Sequence, residues 1–166
     1  MSHIIIRPVT PDDAAGIVAF WNPIILEGKY TVFTEPFSAE AERTYIESMS
    51  DRDMLHVAID AETNTIVGFQ TMSPYSPLPA MRHVSTIGTY IDPSYQRQGI
   101  AKKLFAVSFA AAIARGFRKL STFVRGDNPR ALLVYQKQGF TIVGTAKNHA
   151  LINGQYVDEI MIEKQL

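Results

Sequence analysis

The sequence has no cysteine among its 166 residues. This absence excludes disulfide bonds, thiolate metal sites and a cysteine nucleophile. The histidines are scattered along the chain without the spacing of a metal-binding motif, at His3, His56, His83 and His149. We therefore expect a protein that holds no metal ion.

The chain also lacks an excess of charge, because 16 basic and 16 acidic residues cancel. Proteins dedicated to nucleic acids usually carry a basic surplus, so we expect no nucleic-acid partner. The longest nearly apolar run, 105–114, is far shorter than the ~20 residues of a membrane span. The opening "MSHIIIRPV" lacks the long apolar core and cleavage site of a signal peptide. These absences favour a cytoplasmic protein without a membrane partner.

The composition predicts one globular domain, 1–166, because 46% of the residues are hydrophobic and no linker divides the chain. β-Branched and apolar runs predict strands at His3–Val9, Met54–Ile59, Thr65–Met72, Val84–Ile91, Lys119–Val124, Phe140–Thr145 and Tyr156–Glu163. Capping residues and helical spacing predict helices after Thr10 and Ser38, and at Gln98–Arg115 and Pro129–Gln138. Trp21 to Phe37 has no clear period and is predicted as a loop or short helix.

The predicted order is β-α-α-β-β-β-α-β-α-β-β. It indicates an α/β (α+β) fold with a mixed, mostly antiparallel twisted sheet of about seven strands flanked by about four helices. A β-α-β crossover lies at its centre, between the strands at 84–91 and 119–124.

The stretch "DPSYQRQGIAKKL" follows one predicted strand and opens a helix. The first amides of a helix lack internal partners, and the helix dipole favours negative charge there. Gly99 allows a ligand to approach the backbone, while Gln96, Arg97 and Lys102 offer hydrogen bonds and positive charge. The alternative is an ordinary strand-turn-helix connection. Neither G-x-G-x-x-G nor G-x-x-x-x-G-K-[ST] occurs, which argues against a Rossmann site and a P-loop.

The segment Gln96–Ala101, "QRQGIA", matches the Q/R-x-x-G-x-G/A signature of the GCN5-related N-acetyltransferases (GNAT). "NPRALLVYQKQGF" (Asn128–Phe140) resembles the second conserved stretch of that family, and "IRPVTPDD" resembles its usual opening. The three segments occur in order and span nearly the whole chain. The chain therefore resembles the GNAT family, closest in pattern to its phosphinothricin and methionine sulfoximine acetyltransferase group.

The resemblance implies a GNAT fold, acetyl-CoA as co-substrate, and the activity of an N-acetyltransferase. It places the pyrophosphate on the turn around Gly99 (Gln96–Ala101, the glycine turn) and the pantetheine arm beside the end of the preceding strand. The implied cofactor-binding residues are Tyr90, Ile91, Gln96, Arg97, Gln98, Gly99, Ile100, Ala101, Lys102 and Asn128. It also implies that Tyr135 lies near the sulfur, and that the protein is a homodimer.

Acetyl transfer to an amine requires a neutral amine, a stabilised oxyanion and a protonated thiolate. A tyrosine, with a pKa of ~10, stays protonated at neutral pH and can serve as the acid. Tyr135 could instead be a packed core aromatic. Because no cysteine is available, we expect direct attack in a ternary complex rather than an acyl-enzyme.

The base is less clear from the sequence, which offers His83 and Glu35 as candidates. Both could equally be solvated surface groups. His149 and Glu159 are further candidates, ranked behind them.

The segment "WNPIILEGKYTVFTEPFS" is where the resemblance places the acceptor. Glu27 and Glu35 could attract an ammonium group, and the aromatic rings could bind it or simply close the core: Trp21, Tyr30 and Phe33. Members of the phosphinothricin group often carry a glutamate in the strand before the Tyr-Ile pair, whereas this chain has no acidic residue from Val84 to Tyr90. That difference argues against a drug-type substrate.

Three hypotheses remain from the sequence. The first is an acetyltransferase acting on a small amine or amino acid, and the second is one acting on a protein or peptide. The third is a non-catalytic sensor that binds acyl-CoA.

Overall fold

The computed structural model describes residues 3–166. Its strands are β1 (Ile4–Pro8), β2 (Met54–Asp60), β3 (Thr65–Pro74), β4 (Val84–Ile91), β5 (Lys119–Arg125), β6 (Thr141–Ile152) and β7 (Gln155–Gln165). Its α-helices are α1 (Ala14–Glu27), α2 (Ala39–Ser48), α3 (Ile100–Ala114) and α4 (Pro129–Lys137). Short 3-10 turns precede α1, β4 and α3, at Pro11–Asp13, Pro79–Met81 and Pro93–Tyr95.

The strands form one sheet in the order β1-β2-β3-β4-β5-β7-β6. Every neighbouring pair in it is antiparallel except β4 and β5, which α3 connects as a parallel crossover. The mixed α/β fold predicted from the sequence, with seven strands and four helices within residues 3–166, is confirmed.

The two faces of the sheet are covered by different helices. Ile17 and Trp21 of α1 pack with Phe69 on one face, where Ile46 of α2 joins them. Phe105 of α3 and Tyr135 of α4 pack on the other face. Strand β2 is buried along its whole length, as expected for a strand covered on both faces. The sheet therefore has a helical layer on each face.

The prediction for Trp21 to Phe37 was wrong in part, because α1 continues to Glu27 before the loop begins. The helix runs through Pro23 and ends at Gly28, whose φ of +68° is in the left-handed region. Burial of Trp21 and Ile25 against the sheet outweighs the hydrogen bond that Pro23 removes.

The predicted end of β6 at Thr145 was also too early. The strand runs to Ile152 and turns into β7 through Asn153 and Gly154, with φ of +50° and +76°. An Asn-Gly pair with positive φ at both positions is the usual tight turn of a hairpin. The long β6–β7 hairpin therefore forms the far edge of the sheet.

No helix within residues 3–166 is both long and apolar enough to cross a membrane.

Candidate functional site

A cleft opens in the middle of the sheet, where β4 and β5 separate. The two strands pair at Val84–Lys119 and Ser85–Leu120 and then diverge towards their carboxyl ends. The cleft has a volume of about 90 Å³. Its walls come from β4, β5, α4, β7 and the loop after α1, through Tyr30, Thr31, Val32, Ile87, Gly88, Thr89, Tyr90, Thr122, Phe123, Val124, Arg125, Asn128, Ala131, Tyr135 and Glu159.

A larger depression, of about 510 Å³, lies between α1 and the β2–β3 turn. No predicted catalytic or cofactor-binding residue lines it, so the smaller cleft is the candidate site.

The hydroxyl of Tyr135 reaches the cleft from α4. It donates a 3.1 Å hydrogen bond to Oγ1 of Thr89, which also accepts one of 2.8 Å from Nε2 of Gln70. The Tyr135 ring packs edge-on against Phe105 and Phe140. The Tyr135 side chain thus packs its ring in the core and places its hydroxyl in the cleft.

Burial raises the pKa of Tyr135 to about 12, despite the hydrogen bond to Thr89, which lowers it. The phenol therefore remains protonated through the neutral range and is available as a proton donor.

The cleft has two chemically different sides because neighbouring side chains of a strand alternate between faces. Thr89 points towards α4, where Tyr135 binds it. The next residue, Tyr90, packs its ring on Trp21 of α1 at 4.0 Å between centroids. Burial raises the pKa of Tyr90 as well. A group seated between the strands would thus meet a proton donor on the α4 side and a wall of aromatic rings on the α1 side.

The turn before α3 has the shape expected of an anion site. Arg97 and Gly99 both have positive φ, +66° and +77°, and no side chain caps the first amides of the helix. A Cβ placed on Gly99 would meet no atom within 4 Å. The exposed side chains of Arg97 and Lys102 add positive charge at the same end. These residues fit a phosphate group, and they lie beyond the carboxyl end of β4, where the cleft is open.

Asn128 lines the cleft and also caps α4, since its Oδ1 accepts a 3.1 Å hydrogen bond from the amide of Ala131. Tyr90 lines the cleft too, and Ile91 is the last residue of β4. The structure thus brings together Tyr135, Asn128 and Tyr90, with the glycine turn following directly.

His83 and Glu35 are not brought to the cleft. His83 is exposed just before β4, at the end where β4 and β5 are paired. Glu35 is exposed in the loop between α1 and α2, outside the cleft lining. Glu159, ranked behind them from the sequence, does line the cleft, and its side chain is only 12% exposed.

Some residues of the predicted acceptor segment lie at the cleft, and others do not. Tyr30 lines the cleft, Trp21 is buried beneath it, and the exposed Phe33 packs edge-on against Trp21. Glu27 is occupied by an exposed ion pair of 3.0 Å with Lys29.

Arg125 was missed from the sequence. Its buried guanidinium donates 2.8 Å hydrogen bonds from Nη1 to the carbonyls of Gly28 and Thr31, and two more to the carboxylate of Asp127. The hydrogen bonds from Arg125 to its carboxylate lower the pKa of Asp127. Arg125 therefore ties the loop after α1 to β5, over the cleft. Its carbonyl partners lie 97 and 94 residues away along the chain, so no local pattern indicates it.

Among residues 3–166 no group of three or more His, Asp and Glu side chains could hold a metal ion.

Comparison with known proteins gives a consistent result. The model of the acetyltransferase (GNAT) family matches residues 23–140. The chain is 28% identical to a phosphinothricin N-acetyltransferase of Streptomyces coelicolor, covering 99% of this chain and 98% of that protein. It is 31% identical to an L-amino acid N-acetyltransferase of Escherichia coli, covering 95% of each.

Solved structures agree in fold. A GNAT-family acetyltransferase from Streptococcus pneumoniae superimposes with a TM-score of 0.88 at 26% identity, covering 99% of this chain and 100% of that one. A phosphinothricin acetyltransferase from Sinorhizobium meliloti, in complex with AcCoA, gives 0.89 at 21% identity, covering 100% and 89%.

Proposed function

The chain belongs to the GNAT family of acetyltransferases, and from that premise we propose that it moves the acetyl group of acetyl-CoA to the primary amine of a small, amino-acid-like molecule. The observation that carries the proposal is the cleft between β4 and β5, with the Tyr135 hydroxyl on one side and the loop after α1 on the other. The relatives named for phosphinothricin and L-amino acids support an acceptor of this class.

Acetyl-CoA would be held at the glycine turn and along β4. Uncapped amides at Gly99 and the charges of Arg97 and Lys102 suit its pyrophosphate, as do the remaining turn residues Gln96, Gln98, Ile100 and Ala101. Beyond Ser85 the side of β4 that faces β5 has no strand partner, and Tyr90 and Ile91 are its last residues. A pantetheine arm, which carries amides, can pair there as a strand would. Asn128 lines the same space.

The reaction would proceed by direct attack. The neutral amine attacks the thioester carbonyl carbon and forms the C–N bond, and the C–S bond then breaks. Tyr135 donates its proton to the departing thiolate, a role that its raised pKa of about 12 suits. Backbone amides of β4 near Tyr90 can stabilise the oxyanion.

The tethered loop favours a small acceptor over a protein. Arg125 binds Gly28 and Thr31 of the loop, Thr31 lines the cleft, and the cleft volume is about 90 Å³. A peptide segment would have to displace that loop. A non-catalytic acyl-CoA sensor would have no need of a protonated hydroxyl inside the cleft. His83 and Glu35 stay predictions for the base, and a homodimer and a cytoplasmic location stay predictions as well.

The test is thiol release from acetyl-CoA by the purified protein across amino acids, polyamines, aminoglycosides and short peptides. We expect release with amino acids or other small amines. Release with peptides alone would favour the protein acceptor, and silence with every acceptor together with tight acetyl-CoA binding would favour the sensor.

A further inference from the structure

A carboxylate and an imidazole meet at the edge of the cleft. Oε2 of Glu159 lies 3.8 Å from Nε2 of His149. Glu159 lines the cleft and is 12% exposed, whereas the His149 side chain is 51% exposed. The imidazole therefore connects a shielded carboxylate with solvent.

A bulge in β6 aims His149 at this position. Ala146 pairs with Glu159 and Ala150 pairs with Val157, so the three residues 147–149 stand opposite Asp158 alone. Asp158 fixes the bulge by accepting 2.8 Å bonds from the Asn148 amide and from Nζ of Lys147. Bulges of this kind commonly redirect a side chain beside an active site.

The imidazole is also fixed from β5. Its ring stacks on Phe123 at 5.3 Å between centroids, with an angle of 23° between the planes. Phe123 itself lines the cleft. The His149 ring thus has a defined place although half of it is exposed.

Glu159 lies on the acceptor side of the cleft. It is directly opposite Arg125 in the β5–β7 register, and side chains of such a pair share one face. Arg125 binds Gly28 and Thr31 on that face, which is the face of α1. Tyr135 comes from α4 on the other face. The carboxylate and the phenol are therefore placed to act on opposite partners of the transfer.

We propose that Glu159 is the general base of the acetyl transfer and that His149, 3.8 Å from its carboxylate, is a positioning residue that passes its proton to solvent. The proposal rests on the proposed function and assigns the base within it. It places the base on β7, since β4 has no acidic residue from Val84 to Tyr90.

The acceptor ammonium gives one proton to the Glu159 carboxylate, and the neutral amine forms the C–N bond. The nitrogen loses a second proton as the C–S bond breaks, and the thiolate takes the proton of Tyr135. The nitrogen's proton restores Tyr135, and the proton on Glu159 leaves through His149. One proton is released to solvent for each acetyl group transferred.

Of residues 3–166, five titratable or charged side chains line the cleft together with Glu159 or lie beside its carboxylate. They come from the loop after α1, β4, β5, α4 and β6, and are Tyr30, Tyr90, Arg125, Tyr135 and His149.

The experiment compares wild type, Glu159→Gln and Glu163→Gln with the acceptor that the thiol-release panel identifies. Glu163 is the matched control, since it lies on the same strand and pairs with Lys119 at 2.8 Å, outside the cleft lining. We expect Glu159→Gln to lower kcat/KM about 100-fold at pH 7 with unchanged acetyl-CoA affinity in calorimetry. Glu163→Gln should match wild type.

The pH profile separates a base from a structural role. Wild type should reach a plateau in kcat/KM well below the pKa of the acceptor amine, because Glu159 removes the proton. Glu159→Gln should instead rise tenfold per pH unit up to that pKa, since only amine that is already neutral reacts. His149→Asn should lower kcat by about tenfold and move the acidic limb, and it carries the test if Glu159→Gln fails to fold.

A Glu159→Gln or His149→Asn enzyme with the wild-type profile overturns the proposal, as does loss of the plateau in His83→Gln or Glu35→Gln instead. Those outcomes leave the acetyltransferase standing, because wild type is active. A wild-type protein that is inert with every acceptor overturns the proposed function and the base assignment together.

Discussion

The Tyr135 hydroxyl and Oγ1 of Thr89 are joined by a 3.1 Å hydrogen bond that links α4 to β4. Gln70 holds Thr89 from β3 with a bond of 2.8 Å. The phenol therefore has a fixed position in the cleft before any ligand binds, and this is what an acid for a departing thiolate requires.

We expect Tyr135→Phe to lower kcat about 100-fold, because the thiolate then leaves without a proton donor. Acetyl-CoA affinity in calorimetry should change less than twofold. Tyr156→Phe, in the exposed β6–β7 turn region, is the control and should leave kcat unchanged. Wild-type turnover in Tyr135→Phe would remove this residue from the mechanism.

We expect Gly99→Glu to weaken acetyl-CoA binding at least tenfold, by placing a carboxylate where the uncapped amides of α3 meet the pyrophosphate. Gly116→Glu is a matched control at the other end of the same helix. Both glycines have positive φ, +77° and +86°, and neither has an atom within 4 Å of its Cβ position. The backbone strain of about 1–2 kcal/mol is thus common to the pair. Equal affinities in calorimetry would contradict the phosphate site.

We expect Arg125→Lys to lower the free energy of unfolding by about 2 kcal/mol, because a lysine cannot reach the carbonyls of Gly28 and Thr31 and Asp127 at once. The KM for the acceptor should rise as the loop loosens. Arg118→Lys is the control, since Arg118 also donates to backbone carbonyls but is exposed. Urea unfolding measures both variants, and equal losses would argue against a specific tether.

His56 should make the protein less stable in mild acid. Its ring is buried, with Nδ1 3.1 Å from Oγ of Ser108, and burial lowers its pKa, helped by the positive charge of Arg115. As the pH falls below the unfolded value of ~6.5, the unfolded chain binds a proton that the folded chain does not. The contribution of His56 to the free energy of unfolding should therefore be complete above pH ~6.5. It should fall as the pH is lowered towards the depressed pKa of the folded state.

Urea unfolding of wild type and His56→Gln at pH 7.5, 6 and 5 measures this effect. The decline should be shallower in the variant, whereas Ser108→Ala keeps the histidine and should keep the decline. Parallel curves for wild type and His56→Gln would show that His56 does not contribute.

Local patterns were enough to predict most elements, because strands and helices each have their own hydrophobic period. They were not enough for the end of α1, where burial of Ile24 and Ile25 overrides Pro23. They also missed the length of β6, although Asn153-Gly154 is a recognisable turn signal. The order of the strands in the sheet was not predicted from the sequence, because it depends on pairing between segments that are far apart in the chain.

Some residues of the candidate site belong to local sequence motifs, and others depend on contacts between distant segments. The turn before α3 and Tyr135 belong to continuous motifs, so the sequence was sufficient to name them as candidates. Arg125 acts on carbonyls more than 90 residues away, and Glu159 meets His149 because of a bulge. Such residues become visible once the strands are paired.

The divergence of β4 and β5 also bears on solubility. Unpaired backbone groups along a strand are normally a hazard at the outer edges of sheets, where a second chain can add its own strand and start aggregation. Here such an edge lies in the middle of the sheet, in the cleft that the loop held by Arg125 also lines. An edge in the middle of a sheet is less accessible to a second polypeptide than an edge at its rim. Substitutions that release the loop should accordingly promote self-association as well as slow the reaction.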